Sequence, residues 1–199
     1  MLKDYPKEVT LKSGEKVILR PMVKEDEKML LEFFLRLPEE DRIFLRDDVS
    51  DPKVVKSWAE NVNYKHVIPI LAEIDGKIIG DATLHRRTTE ELQKIGEIRI
   101  VIDKDFRRHG LGALLAREIY YVALSLKYGK LVAEVFEEQR GVLKMCETLG
   151  FRHERILISR AVDLQGRKRN LVVMIEDVDA LWKAIEDLIK EDVGHYSRG

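Results

Sequence analysis

The apolar residues of this chain change period several times, and each change marks an element. "KVILRP" (Lys16 to Pro21) predicts a strand stopped by proline, whereas Met29, Leu30, Phe33, Phe34 and Leu37 recur at helical spacing. "SDPKVVKSWAENV" predicts a second helix. Ser50 or Asp51 can cap it, Pro52 suits its first turn, and Val54, Val55, Trp58, Ala59 and Val62 form its apolar face. Two apolar segments in "IPILAEIDGKIIGDATLHRR" meet at Asp75-Gly76, a dipeptide that supplies the positive φ angles of a tight hairpin turn. After the polar loop "TTEELQK" comes the strand "GEIRIVID" (Gly96 to Asp103), then a helix carrying Leu111, Leu114, Leu115, Ile119 and Val122. "KLVAEVF" is nearly all apolar, the mark of a strand buried on both faces. A short helix, "QRGVLKMCETL", ends at Gly150, and "FRHERILISR" with "NLVVMIE" predicts a closing hairpin across "DLQGRKR". From Asp179, the residues Leu181, Trp182, Ile185, Leu188 and Ile189 predict one more amphipathic helix before the tail "GHYSRG".

The order β-α-α-β-β-β-α-β-α-β-β predicts a mixed α/β sheet with helices on its faces. Residues 1–178 form one domain in this reading, and residues 179–199 add a C-terminal helix and a frayed tail. Element order alone names no function.

Composition narrows the classes. At 199 residues and 45% hydrophobic, the chain can bury one good core and little more. The 35 basic and 36 acidic residues leave a net charge of -1, which gives no electrostatic case for a nucleic-acid or membrane partner. The charged opening "MLKDYPKEVTLKSG" lacks the apolar core of a signal peptide, and no run approaches bilayer length, so a cytoplasmic location is expected. One cysteine, Cys146, cannot form an internal disulfide, and no Cys/His grouping has metal-ligand spacing. No metal is expected. The oligomeric state is open, a homodimer included.

The stretch "DKDFRRHGLGALLAREI" (Asp103 to Ile119) places two glycines and two arginines where a strand hands over to a helix. A helix N-terminus presents unpaired N–H groups and a partial positive charge. Gly110 and Gly112 strip away side chains there, and Arg107 and Arg108 add charge, so an anion cradle for a phosphate is expected. A P-loop would need Gly-Lys-Ser/Thr, and the chain has Gly112-Ala113-Leu114. A dinucleotide fingerprint would need a third glycine where Leu115 stands. The motif R-x-x-G-x-G is met by Arg107-Arg108-His109-Gly110-Leu111-Gly112, directly after Ile100-Val101-Ile102.

With that motif, and with "EQRGVLKMCETLGF" (Glu138 to Phe151) at the distance of the family's Asn-helix-Gly-Phe segment, the chain resembles the GNAT superfamily, the Gcn5-related N-acetyltransferases, over roughly Val17 to Glu176. The resemblance implies a largely antiparallel sheet with one splayed parallel pair, its fourth and fifth predicted strands. It implies acetyl-CoA as co-substrate. The backbone of Ile100, Val101 and Ile102 would pair with the pantetheine arm, and the N–H groups from Arg108 through Ala113, across His109, Gly110, Leu111 and Gly112, would hold the pyrophosphate. Gln139 stands where many members have a CoA-binding asparagine, and Cys146 where many have a tyrosine acid.

Transfer to an amine also needs a route for one proton. By resemblance, Glu97 occupies the base position of histone-acetylating members, and Glu134 that of ribosomal-protein alanine acetyltransferases. Read from the residues alone, Glu97 could simply pair with Arg99, and Glu134, the one charge in "LVAEVF", needs a partner or a raised pKa. His109 is expected to turn its ring to solvent. His85 lies near the acceptor side, Asp47 and Asp48 read as a solvated charge run, and Cys146 reads as a small apolar filler. The expected activity is acetyl-CoA-dependent transfer to a primary amine on a protein or a small molecule. The alternative is a non-catalytic sensor of acetyl-CoA.

Overall fold

The computed structural model of the protein describes residues 2–86, 95–178, 187 and 189. Along them run β1 (Lys7–Thr10), β2 (Lys16–Pro21), α1 (Glu27–Arg36), α2 (Glu39–Arg42), α3 (Pro52–Glu60), β3 (Val67–Ile74) and β4 (Lys77–Arg86). Then follow β5 (Ile95–Ile102), α4 (Leu111–Ser125), β6 (Lys130–Phe136), α5 (Arg140–Thr148), β7 (Arg152–Val162) and β8 (Lys168–Asp177). The predicted order holds, with β1 and the single turn of α2 added. The loop "TTEELQK" and almost all of the last predicted helix lie outside the described residues.

Local chemistry explains the boundaries. Asp51 caps α3 by accepting from the Lys53 N–H, and Pro52 occupies the first turn. At the hairpin between β3 and β4, Asp75 has φ 47° and Gly76 φ 73°, the two positive values such a turn requires. The eight strands lie in the order β1-β2-β3-β4-β5-β6-β8-β7, every neighbouring pair antiparallel except β5 and β6.

Side chains alternate across the sheet and sort into two cores. Ile70, Ala72, Ala82, Leu84, Ile98, Leu131, Ala133 and Val135 share one core with Leu111, Leu114, Leu115 and Ile119 of α4 and Leu143 and Cys146 of α5. Leu71 and Ile78 share the other with Leu30, Phe33 and Phe34 of α1 and Val55 and Ala59 of α3, and Val101 packs against it. Helices thus cover both faces. Among the described residues no helix is long and apolar enough to cross a membrane.

Candidate functional site

The parallel pair β5–β6 is joined only from Ile95↔Lys130 to Glu97↔Val132. Beyond Glu97 the two strands part, as the resemblance implies, and a cleft of about 1780 Å³ opens there. Alternation divides its lining. Arg99 of β5, Asp81, Thr83 and His85 of β4, and Glu134 of β6 fall on the α1/α3 side, because they alternate with residues of the α4 core, and Glu97 shares that face of β5 but is buried. The start of α4 lies at the other end of β5.

That helix start is bare. Gly110, the N-cap residue, has φ 81° and no side-chain cap, and the first intrahelical bond runs from the Leu114 N–H to the Gly110 carbonyl. The N–H groups of Leu111, Gly112 and Ala113 therefore have no partner within the helix. Arg107, Arg108, Gly110, Gly112 and Ala113 line the cleft, while the Leu111 side chain is buried in the α4 core. A Cβ on Gly112 would come within 3.1 Å of Met145 Sδ and 3.2 Å of Ile102 Cδ1, both on residues of the cleft wall. A side chain there would have to push Met145 and Ile102 aside by a few tenths of an ångström, a packing effect of α4 on β5 and α5 beside the access to backbone that the motif suggests.

Three details differ from expectation. Arg107 is committed: its guanidinium donates to the Ile102 carbonyl at 3.2 Å and to Asp41 Oδ2 at 2.6 Å, so it braces the end of β5 against α2. Arg108, the next residue, is exposed, is held at φ 66° and also lines the cleft. The His109 ring is half-buried rather than turned out, its Nδ1 buried without a hydrogen-bond partner. Strand geometry also sorts the three isoleucine and valine backbones. The Asp103 N–H donates to Ile79 of β4, so Val101, two residues earlier, directs its groups to β4 as well, and Ile100 and Ile102 direct theirs to the opening.

On the α1/α3 side, two candidate bases share one cation. Arg46, on the loop between α2 and α3, places Nη2 2.9 Å from Glu97 Oε1 and 2.5 Å from Glu134 Oε2. Arg99 Nε adds 2.9 Å to Glu97 Oε1. Burial pushes the Glu97 carboxyl up, but Arg99 and Arg46 together outweigh it and hold it below the usual range. Glu97 is thus buried and paired, with Arg99 in the role read from the residues alone. The loop bearing Arg46 is itself anchored: Phe44 packs on Phe136 at 5.2 Å between ring centres, Arg169 lies over Phe44, and the Leu164 N–H donates to the Ile43 carbonyl.

His85 lines the cleft with Nε2 3.0 Å from Thr83 Oγ1, and burial, reinforced by Arg99, pushes its imidazole down to about 4. Asp47 lines the cleft, whereas Asp48 is exposed and turned onto Ser50 of its own loop. Gln139 begins α5 and accepts from the Phe136 N–H through Oε1. Cys146 is buried, and burial, with Glu147, pushes its thiol up to about 12. It is an apolar filler on the cleft wall. Among the described residues no group of His, Cys, Asp or Glu could hold a metal ion.

Arg46 and Asp81 of the cleft are not among the residues singled out from the sequence. Arg46 gives no local signal, because Glu97 and Glu134 are 51 and 88 residues away. Asp81 did give one, a single acid in the apolar run "IIGDATL", the same signal that drew attention to Glu134.

The sequence model of the acetyltransferase (GNAT) family matches residues 30–151. Among solved structures the chain is similar to RimJ from Mycobacterium smegmatis in complex with CoA-disulfide, at 18% identity and TM-score 0.75 over 94% of this chain and 95% of that one. It is similar to ribosomal-protein-S5-alanine acetyltransferase from Vibrio fischeri, at 14% identity and TM-score 0.71 over 82% and 93%. It is also similar to yncA from Salmonella typhimurium with its cofactor acetyl-CoA, at 18% identity and TM-score 0.68 over 82% and 94%. At such identities the likeness is one of fold.

Proposed function

This chain belongs to the acetyltransferase (GNAT) family, and from that premise we propose that it transfers an acetyl group from acetyl-CoA to a primary amine, both substrates being held in the cleft together. The observation that carries the reading is the bare N-terminus of α4 beside the open edge of β5. Unpaired N–H groups at a helix start bind phosphate oxygens well, and a side chain on Gly112 would fill the space beside them.

In this reading the N–H groups of Leu111, Gly112 and Ala113 hold the pyrophosphate, with Arg108 adding charge. Arg107 acts indirectly, by bracing Ile102. The backbone of Ile100 and the N–H of Ile102 offer a strand edge to the pantetheine arm, since the Ile102 carbonyl already accepts from Arg107. Gln139 holds β6 and α5 together at the mouth. When bound, acetyl-CoA supplies an activated acetyl group.

The chain's own chemistry is binding and proton handling. An acceptor amine enters the α1/α3 side where Arg46 now bridges Glu97 and Glu134. Glu97, held ionised by two arginines, orients the amine, and Glu134 takes its proton through water. Holding both reactants in one cleft supplies the larger part of the rate, and the positioned base adds about a hundredfold or more.

A panel of peptides, polyamines, amino acids and aminoglycosides, assayed by release of CoA, tests the reading. Turnover of at least one class is expected. Acetyl-CoA binding with no release from any of them would make the protein a sensor.

A further inference from the structure

We propose that Asp81 is a cation subsite on the floor of the acceptor half of the cleft, and that the acceptor carries a second protonated nitrogen, as a linear polyamine does. The inference rests on the reading above, in which this face takes an amine.

Asp81 sits in mid-β4, paired with Leu71 on β3 and with Val101 on β5. Leu71 belongs to the apolar core beneath α1 and α3, and Val101 packs against it, so the carboxylate has apolar neighbours on both sides. It lines the cleft, yet its Oδ1 is buried with no hydrogen-bond partner. A buried acceptor without a donor is costly and rare, and calls for a specific reason. The neighbouring carboxylates do not share the defect. Glu97, Glu134 and Asp41 each hold an arginine.

Burial pushes the Asp81 carboxyl up to about 7 against the pull of Arg99, so near neutral pH it gives up its proton readily when a cation arrives. Its place relative to the other acids defines the ligand. Asp81, Thr83 and His85 follow one another on the same face of β4, and His85 stands opposite Glu97. Four residues of strand separate the two ends by about 13 Å. At the far end the structure already seats a cation, the Arg46 guanidinium between Glu97 and Glu134. An extended chain with nitrogens near both ends satisfies both positions. A monoamine satisfies one.

The test uses the full chain with saturating acetyl-CoA and three probes: spermidine, hexane-1,6-diamine and hexylamine. Asp81→Asn is expected to raise KM for spermidine and hexane-1,6-diamine at least tenfold more than for hexylamine, and Asp81→Leu to do the same. In amine-free buffer at pH 8 both variants are expected to melt at or above the wild-type temperature, because each removes a carboxylate whose buried Oδ1 has no donor. Equal effects on spermidine, hexane-1,6-diamine and hexylamine, or none, would overturn the subsite. So would a fall of several degrees in both variants, which would make Asp81 a structural group. If acetyl-CoA binds but no amine is turned over, calorimetric binding of spermidine to wild type and not to Asp81→Asn still supports the subsite, while the proposed transfer fails. Absence of that binding overturns the subsite too.

Discussion

Arg46 Nη2 lies 2.5 Å from Glu134 Oε2, an ion pair in the lining of the cleft between a loop and a strand 88 residues apart. The Arg46 side chain is 47% exposed and the Glu134 side chain 18%, so the pair is reachable from solvent and its strength is modest. A cationic acceptor competes with it. Arg46→Met, which keeps the aliphatic stem, is therefore expected to lower KM for a cationic amine about threefold to tenfold, the effect of removing a contact of roughly 1 kcal/mol. It also withdraws one of the two arginines that hold the Glu97 carboxyl down, so any acidic limb from Glu97 moves to higher pH. Steady-state kinetics across pH check both. A tenfold loss of kcat at unchanged KM would instead make Arg46 a residue that positions the glutamates for chemistry.

The two glutamates separate by kinetics and stability. Glu134→Gln is expected to cost about a hundredfold in kcat/KM with little change in melting temperature. Glu97→Gln removes a buried carboxylate from Arg99 and Arg46, and is expected to cost about 1–3 kcal/mol of stability as well as amine affinity. Melting curves and kcat/KM for both variants decide the matter. The reverse pattern would exchange the two roles.

Cys146 tests whether this site uses a side-chain acid. Its thiol is pushed up to about 12 and buried, a poor donor to a departing thiolate of lower basicity. Cys146→Ala is expected to leave kcat within roughly tenfold of wild type, below the typical contribution of a positioned acid. A larger loss, with acetyl-CoA binding and stability intact, would assign it the tyrosine's task.

His85 sets a pH dependence of stability. Its imidazole is pushed down from 6.5 to about 4 in the folded chain, so between those values the unfolded chain binds more protons. The contribution of His85 is fully present above pH 6.5 and is lost as pH falls toward 4, by at most about 3 kcal/mol. Denaturant unfolding of wild type and His85→Asn at pH 7.5 and pH 4.5 checks the sign. The variant should lose less stability on acidification. A larger loss in the variant would contradict the buried neutral ring.

The fold was legible wherever a run was long enough to show its period. The helix of Leu30, Phe33 and Phe34, the Asp75-Gly76 turn and the apolar "KLVAEVF" all stood out, and all are where the pattern places them. The strand Lys7–Thr10 did not, because four residues with one buried side chain, Val9, carry no alternation. The glycine-rich start of α4 is legible because its residues are contiguous. The α1/α3 side of the cleft is not, because it is assembled by strand register and by a loop distant in sequence. Nothing near Glu134 announces Arg46, and only the β4–β5 pairing reveals that Asp81, His85 and Glu97 share a face. Arg107 shows the opposite limit: the motif gives its position but not the contacts of its side chain, which go to Ile102 and Asp41.

Calorimetric titration of acetyl-CoA into wild type and Gly112→Leu is the most direct test of a phosphate cradle at the start of α4. A leucine there meets Met145 and Ile102 next to the bare helix start. Wild type is expected to bind acetyl-CoA, and Gly112→Leu, still folded by its melting curve, to bind at least tenfold more weakly. Equal affinity in the two proteins would contradict the cradle.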